Sequence, residues 1–463
     1  MQCYKKGKLS YMNNDKQFFK NFAILTFSIA LQNLITYSVN LTDNMMLGAY
    51  SENALSGAAL ANQIQFFLQM LIAGIGEGIV ILGVQYWGRK RLEPIKKIIV
   101  VGLWISMLGS GILFVIVICF PSQVLGLLTS DVEVINEGVK FLRIICFTYM
   151  IFAITYTLIA SLRSVGVVKI GYIIPIFTLI INASLNYCLI YGNFGMPALG
   201  VQGSAIATLV SRIVELIIVL LFLKFHDHKF NLCLKEVIKV DFSYFKDYFH
   251  VAMPVIISNS LWGFALGVQT AILGHMGTEA ISANSIAMIL FQMTSVVSYG
   301  AASAAGMMTG KAVGEGDLEK IKRNTQTFQL LFIFIGIFTG LTIFLLRDFI
   351  IQFYTISDVS KALTKQFMTI LAITSVGTSY QMATLTGIVR GGGDTKFPLI
   401  NDMIFMWLIV IPSSALSAFY FHFTPIIVFA CLKSDQILKC FVAVIKVNQY
   451  NWINQVIKII QPG

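Results

Sequence analysis

Charged residues are scarce in this chain of 463 residues. They occupy 12% of all positions, whereas hydrophobic residues occupy 57%. A soluble domain usually carries about a quarter of its residues as charged side chains, which cover its surface. So little charge excludes a soluble globular protein, and the abundance of long apolar runs indicates an integral membrane protein with many spans.

Cysteine and histidine are also few, and their spacing matches no metal or redox site. The seven cysteines form no CxxC pair, and the five histidines form no HExxH motif. The chain also lacks a P-loop, a GxSxG motif and paired catalytic carboxylates. We therefore expect no enzymatic activity and no cofactor. An intramembrane enzyme is the alternative from another class, and it would need a catalytic constellation that the sequence does not display.

Apolar stretches long enough to cross a bilayer recur along the whole chain. A transmembrane helix needs about 20 such residues. The predicted spans are 20–41, 57–86, 97–119, 139–160, 169–190, 203–224, 249–273, 281–309, 327–346, 364–387, 398–420 and 425–446. These twelve helices predict an all-α membrane protein.

Lysine and arginine collect near the N-terminus and in alternate loops, for example at 89–97, 224–246 and 311–323. Cytoplasmic loops carry this excess in membrane proteins, so we expect both termini in the cytoplasm of a multi-pass protein of the plasma membrane. The net charge of +11 then reflects loops beside an anionic lipid leaflet rather than binding to nucleic acid.

The two halves of the sequence match at a nearly fixed offset. A shift of 226 positions superimposes "LEPIKK" (92–97) on "LEKIKR" (318–323), and a shift of 227 superimposes Arg163 on Arg390. Each repeat holds six helices, so both enter the membrane in the same orientation and are related by a pseudo-twofold axis along the membrane normal. The predicted parts are a lobe at 1–224, a cytoplasmic linker at 225–248, a second lobe at 249–446 and a cytoplasmic tail at 447–463.

Acidic and amide residues within the helices break this repeat. Asp43 shifted by 226 positions falls on Gln269, and Glu77 falls on Ser303. The scaffold is duplicated, but these polar groups belong mainly to the first half. The asymmetry indicates a polar site in the N-terminal lobe. An alternative for Asp43 is that it marks the end of the first helix and caps the next turn.

Several motifs, in the same order, resemble those of the multidrug and toxic compound extrusion family. The resemblance covers nearly the whole chain, about residues 20–446. The motifs are "LTDNMMLGAYSENALSGAALANQI" (41–64), "VQYWGRK" (84–90), "LIASLRSVG" (158–166), "NASLNYCLIYGNFGMPALGVQGSAIAT" (182–208) and "GIVRGGGDTKFP" (387–398). The resemblance implies a two-lobed transporter that alternates its access and exports organic compounds, driven by the inward flow of protons or sodium.

The resemblance also assigns residues to a coupling-ion site. Asp43 falls on the aspartate of the first helix, and Asn182 falls on the asparagine of the fifth helix beside it. Asn186 falls where many relatives carry aspartate, and Ser204 and Thr208 lie where the sixth helix approaches the cluster.

Asp43 is the only carboxylate of this cluster, so we expect proton coupling. Sodium held by Asp43, Asn182 and Asn186 is the alternative. Relatives that couple sodium through the C-terminal lobe carry carboxylates at the positions of Trp262 and Ser379. Neither residue is acidic, which argues against a coupling site in that lobe.

Glu77 lies between glycines at mid-depth of the second helix, and we expect it to face a substrate cavity. Methionine and aromatic side chains adapt to varied organic cations. Ordinary packing explains many such residues equally well. The other predicted cavity residues are Met45, Phe66, Trp262, Gln269, Met293 and Tyr380.

Two further groups of charges lie within predicted helices. Arg212 and Glu215 are three residues apart and are expected to form a structural pair, and Asp435 and Lys439 are four apart and are expected to neutralise each other. Lys433 lies in the same predicted helix as Asp435 and Lys439, and such charges are unusual in a segment that contacts lipid.

The sequence therefore predicts an antiporter for amphipathic, cationic organic compounds, acting as a monomer among membrane lipids. A flippase for lipid-linked oligosaccharides is the first alternative, but it would need a strongly cationic cavity for pyrophosphate. Few lysines or arginines lie within the helices. A channel is a further alternative, which saturable, stoichiometric coupling would exclude.

Overall fold

Helices make up almost all of the chain in the computed structural model. The structure describes residues 15–129, 131–225, 241–352, 354 and 356–456. Within those ranges the only extended pairing is a single bridge between Gly393 and Ile453.

The helices follow one another along the chain with short connections. They are α1 Lys16–Tyr50, α2 Glu52–Gly88, α3 Glu93–Cys119, α4 Pro121–Gly126, α5 Val132–Ile145, α6 Thr148–Ser164, α7 Lys169–Tyr191, α8 Val201–Phe225, α9 Phe245–Gly274, α10 Thr278–Glu315, α11 Leu318–Ile351, α12 Asp358–Met382, α13 Lys396–Asp402, α14 Ile411–Ala415, α15 Pro425–Lys433 and α16 Asp435–Gln449. Three π-helical segments extend them, Ala383–Val389, Met403–Val410 and Leu416–Tyr420.

Most of these helices can span a membrane. Among the described residues, nine are long and apolar enough, and α5 with α6, bent by 51°, passes the same test as a pair and counts as a tenth if the two form one span. The two remaining predicted spans are helical as well, in α12 and in α15 followed by α16. The predicted all-α membrane fold is therefore confirmed, with helix over each of the twelve predicted segments.

Local sequence signals begin and end several helices. The carboxylate of Asp131 accepts hydrogen bonds from the backbone N–H groups of Glu133 and Val134 at the start of α5, and Asp317 caps α11 in the same way. Gly316, with φ of 79°, ends α10 in the left-handed conformation that glycine adopts without steric cost. These caps satisfy backbone groups that helix ends otherwise leave unpaired.

The first helix is longer than its apolar stretch. It continues through Asp43 to Tyr50, because the residues that follow include the good helix formers Met45, Met46 and Leu47. Asp43 therefore lies about two turns before the helix end. The alternative that Asp43 marks the end of the helix and caps the next turn is wrong.

The chain divides into two compact units. We call one the amino-terminal unit (Leu31–Gly83 and Arg91–Ser260) and the other the carboxy-terminal unit (Met1–Ala30, Val84–Lys90 and Leu261–Gly463). The predicted lobe boundaries stay predictions. Most of the predicted linker (226–240) and the end of the predicted tail (457–463) lie outside the described residues, as do the basic residues before position 15.

The segment after α16 is packed into the carboxy-terminal unit. Trp452 is completely buried, and its indole Nε1 donates to the backbone oxygen of Val447 at 2.9 Å. A Cβ on Gly392 would collide with the indole ring. Asn454 N donates to the oxygen of Gly392 at 2.8 Å, and Gln85 Nε2 donates to the oxygen of Asn454 at 3.2 Å. The segment thus connects the ends of several helices.

We expect Trp452→Ala to lower the free energy of unfolding by about 3–5 kcal/mol, the usual cost of emptying a buried aromatic site. The matched control is Trp104→Ala, because the side chain of Trp104 is 46% exposed. Thermal unfolding in detergent measures both variants. Equal midpoints for the two variants would show that the Trp452 site does not stabilise the unit.

Candidate functional site

A chain of side-chain hydrogen bonds joins three helices of the amino-terminal unit. Asn186 Nδ2, on α7, donates to Asp43 Oδ1 on α1 at 2.5 Å and to Asn182 Oδ1 at 3.1 Å. Asn182 Nδ2 in turn donates to Thr208 Oγ1 on α8 at 3.2 Å. We call Asp43, Asn182, Asn186, Ser204 and Thr208 the Asp43 cluster. The structure brings together four of these five predicted residues through direct hydrogen bonds.

Helix geometry explains why these residues meet. Asn182 and Asn186 are one turn apart on α7, so their side chains share a face. A short loop reverses the chain between α7 and α8, and it begins at Gly192, whose φ is 76°. The two helices are therefore antiparallel. Since Thr208 pairs with Asn182, Ser204, one turn earlier on α8, lies level with Asn186.

Tyr191 fixes the end of α1 beside the cluster, and the sequence analysis did not identify it. Its hydroxyl donates to the backbone oxygen of Met46 at 2.8 Å. Tyr191 is five residues after Asn186 on the same helix. The contact ties the last turns of α1 to α7 and so holds Asp43 close to the amides.

Two oxygens in the cluster are buried without a partner. Within the part of the chain that the structure describes, Asn186 Oδ1 and Ser204 Oγ make no hydrogen bond. Leaving a buried polar atom unpaired costs about 1–3 kcal/mol. Together with the Asp43 carboxylate they form a set of oxygen atoms, which is the type of ligand that hard cations prefer.

An ion pair lies next to the cluster on α8. Arg212 Nη1 donates to Glu215 Oε2 at 2.6 Å, which confirms the predicted pair. Arg212 is one turn after Thr208, and its positive charge acts on Asp43. The guanidinium also lies 5.3 Å from the ring centre of Phe152. Arg212 therefore lies at one border of the cluster, where Glu215 balances part of its charge.

Glu77 lies where α2 packs closely against other helices of the same unit. A Cβ on Gly76 would lie 2.9 Å from the ring of Tyr156, and one on Gly78 would lie 2.6 Å from the Cβ of Ala252. Glu77 is half-buried and interacts electrostatically with Tyr156. The glycines therefore permit close helix contacts on both sides of the acid, as glycine does in membrane bundles.

The other predicted cavity residues differ widely in exposure. In the amino-terminal unit, the side chain of Met45 is 68% exposed and Phe66 is half-buried. In the carboxy-terminal unit, Trp262 is 38% exposed and Met293 is half-buried. Tyr380 is buried within the apolar core. Their assignment to a substrate cavity stays a prediction.

Two hydroxyl contacts fix the buried part of α12. The hydroxyl of Tyr380 donates to Gln329 Oε1 at 2.7 Å. The neighbouring Ser379 is also buried and pairs with Ser298, with 2.6 Å between the two Oγ atoms. Both side chains therefore hold α12 to adjacent helices of the carboxy-terminal unit.

A buried ion triad lies in the carboxy-terminal unit. Lys439 Nζ is 3.3 Å from Asp435 Oδ2, which confirms the predicted neutralisation, and 2.8 Å from Asp402 Oδ1. The sequence analysis missed Asp402. Asp402 could have been identified from the sequence, because it is the only acidic residue between 396 and 424 and lies within a predicted span. A single carboxylate in such a segment requires a partner from another helix.

One known sequence family matches both repeats of the chain. The sequence model of the MatE family matches residues 28–188 and again residues 254–416. The two matched stretches begin 226 residues apart, which is the offset of the internal repeat.

Relatives and solved structures cover most of the chain. The probable multidrug resistance protein NorM of Listeria monocytogenes serotype 4b (strain F2365) is 27% identical over 399 residues, 85% of this chain and 86% of the relative. The protein of the same name from Thermotoga maritima is 25% identical over 405 residues, 84% of each chain. A MOP superfamily transporter from Pyrococcus furiosus has a TM-score of 0.85 at 17% identity, over 95% of this chain and 98% of the other. The eukaryotic MATE transporter AtDTX14 gives 0.85 at 18% identity, over 95% and 97%. These structures confirm the two-lobed helical fold.

Proposed function

The chain belongs to the MatE family of multi-pass membrane transporters, and from this premise we propose that it exports amphipathic organic cations in exchange for protons. The relatives named multidrug resistance protein NorM support a multidrug substrate range. The observation that carries the exchange mechanism is the hydrogen bond between Asp43 and Asn186, which joins α1 to α7 at an intramembrane carboxylate.

Asp43 can exist in two states of very different energy inside the membrane. An ionised carboxylate within a membrane costs free energy, about 2.5 kcal/mol or more at the bilayer centre, unless a cation, a proton or hydrogen bonds compensate it. The Asn186 amide compensates part of this cost by donating to Oδ1. Binding a proton removes the rest. A transporter uses such a group when the protonated and ionised forms favour different conformations, because a ligand shifts an equilibrium only by its differential affinity.

The remaining cluster residues orient the Asn186 amide. Both of its N–H groups are engaged, one by Asp43 and the other by Asn182, and Asn182 is itself fixed by Thr208. This chain of hydrogen bonds keeps a donor aimed at the carboxylate. We propose that protonation of Asp43 weakens this contact between α1 and α7, and that this change is coupled to the reorientation of the lobes.

Sodium is the second candidate for the coupling ion. The observation that favours it is that two oxygens of the Asp43 cluster, Asn186 Oδ1 and Ser204 Oγ, are buried without a hydrogen bond. A sodium ion would neutralise Asp43 and accept these oxygens as ligands. A site with one carboxylate has less negative charge than a site with two and attracts sodium less strongly. We therefore propose the proton as the coupling ion.

Orientation and location complete the proposal. The distribution of lysine and arginine supports an orientation with both termini in the cytoplasm, and we propose the plasma membrane as the location. We further propose that it acts as a monomer surrounded by lipid.

The test is transport by the purified protein in liposomes with one imposed gradient at a time. Ethidium serves as the cationic probe, and liposomes without protein are the control. We expect a pH gradient alone to drive ethidium transport in sodium-free buffer. Transport that starts only when sodium is added would identify sodium as the coupling ion. Transport that depends on neither gradient would refute antiport.

A further inference from the structure

Lys433 is a cation at the end of α15, inside a predicted span. It is the ninth residue of that helix, about 12 Å from Pro425 along the helix axis at 1.5 Å per residue. The side chain is half-buried. Its Nζ donates to Gln269 Oε1 at 3.1 Å and lies 5.6 Å from the ring centre of Phe429.

The acidic side chains near Lys433 form ion pairs with another cation, Lys439. Asp402 and Asp435 both contact Lys439 Nζ, and the side-chain amide of Gln436 donates to both oxygens of Asp435 at 2.9 Å. Among the residues that the structure describes, Lys433 forms no salt bridge, although the negative charge of Asp435 attracts it. Its positive charge is therefore left without an ion pair in a segment where charge is costly.

Gln269 is a fixed partner for this ammonium group. It is buried, and its Nε2 donates to Met406 Sδ at 3.3 Å, which turns Oε1 toward Lys433. The internal repeat gives the position a further meaning, because Asp43 shifted by 226 positions falls on Gln269. Where the first repeat has a carboxylate, the second has an amide that holds a lysine, so the charge is inverted.

We propose that Lys433 and Gln269 bind the carboxylate group of an amphipathic substrate. A lysine ammonium has three donors, and Gln269 uses one of them. The free donors can form charge-assisted hydrogen bonds, which are stronger in a poorly solvated site. The adjacent Phe429 ring offers an apolar surface to the body of the same molecule. Substrates of this transporter would then include zwitterions and organic anions besides cations.

The proposal extends the substrate class and rests on the proposed transport function only for export of the bound compound. Binding to the purified protein in detergent, without any gradient, tests the site by itself. The probes are dansylglycine, its methyl ester and dansylcadaverine, which present the same fluorophore with a negative, no or a positive charge. A failure of antiport would appear only in the liposome experiment with ethidium.

We expect the wild type to bind dansylglycine about tenfold more tightly than the ester, which corresponds to about 1.4 kcal/mol. Lys433→Met should remove this preference and change the affinity for the ester by less than about twofold. Lys433→Arg should retain it because the charge remains. The matched control is Lys365→Met, whose exposed lysine pairs with Asp348 at 2.7 Å; it should bind all three probes like the wild type.

Three results would overturn the proposal. One is equal affinity of the wild type for dansylglycine and its ester, or no binding of either. The second is a loss of affinity for all three probes in the same proportion in Lys433→Met, which would indicate a structural role. The third is unchanged dansylglycine binding in Lys433→Met, which would indicate that the lysine contacts only lipid headgroups. If Lys433→Met does not fold, Lys433→Gln gives the same comparison.

Discussion

Asp43→Asn is expected to lower gradient-driven transport of ethidium by about two orders of magnitude. The substitution keeps the shape of the side chain and removes the group that exchanges a proton. Coupling cannot exceed the difference in free energy between the charged and neutral states of the site. For a carboxylate in a membrane that difference is about 2.5 kcal/mol at the bilayer centre, roughly a factor of 60.

The variant should still fold. The new amide can present its oxygen to Asn186 Nδ2, so the contact between α1 and α7 survives. The matched control is Asp358→Asn, because the carboxylate of Asp358 is 99% exposed. Both variants are compared with the wild type at equal amounts of reconstituted protein. Wild-type accumulation of ethidium by Asp43→Asn would remove Asp43 from the mechanism.

Lys439→Met is expected to lower the free energy of unfolding by about 3–5 kcal/mol. Lys439 is nearly buried and neutralises both Asp402 and Asp435. Removing Lys439 takes away the cation that both carboxylates share, and breaking a buried ion pair from one side has a cost of this size. Thermal unfolding of the purified variant in detergent measures the effect.

The control for this loss is Lys361→Met, which breaks an exposed pair with Asp358 and should change the unfolding midpoint very little. Adding Asp402→Asn to Lys439→Met should recover part of the stability, since one of the two negative charges that Lys439 neutralised is removed. A midpoint of Lys439→Met equal to that of Lys361→Met would mean that the triad does not stabilise the fold.

The fold was largely predictable because apolar length and repetition are direct consequences of the membrane. Each of the twelve predicted spans is helical, and the offset of 226 residues reappears in the two matches to the MatE family. The ends of helices were less predictable. The first apolar stretch stops near residue 41, yet α1 continues to Tyr50, because helix propensity and not hydropathy decides where a helix ends.

The candidate site was predictable where its residues share one helix. The spacing of Asn182 and Asn186 places them on one face, and the spacing of Asp435 and Lys439 does the same. Partners on different helices could not be read from spacing. Asp402 therefore escaped notice, because its contact with Lys439 depends on how α13 packs against α16.

The contact of Lys433 is a second example of a contact that sequence spacing could not predict. The sequence places it among neighbouring charges, but the structure shows that these charges pair with each other and leave it to Gln269. Which of several nearby acids a lysine contacts depends on side-chain direction around the helix, which sequence spacing gives only for residues three or four apart.

The central claim, that Asp43 carries the coupling ion, is tested most directly by ion release on substrate binding. Ethidium is added to the purified protein in weakly buffered detergent solution over a series of pH values, and a pH-indicator dye records released protons. The account predicts release of protons from the wild type and from Asp358→Asn, and none from Asp43→Asn. Equal release from Asp43→Asn and the wild type would contradict it.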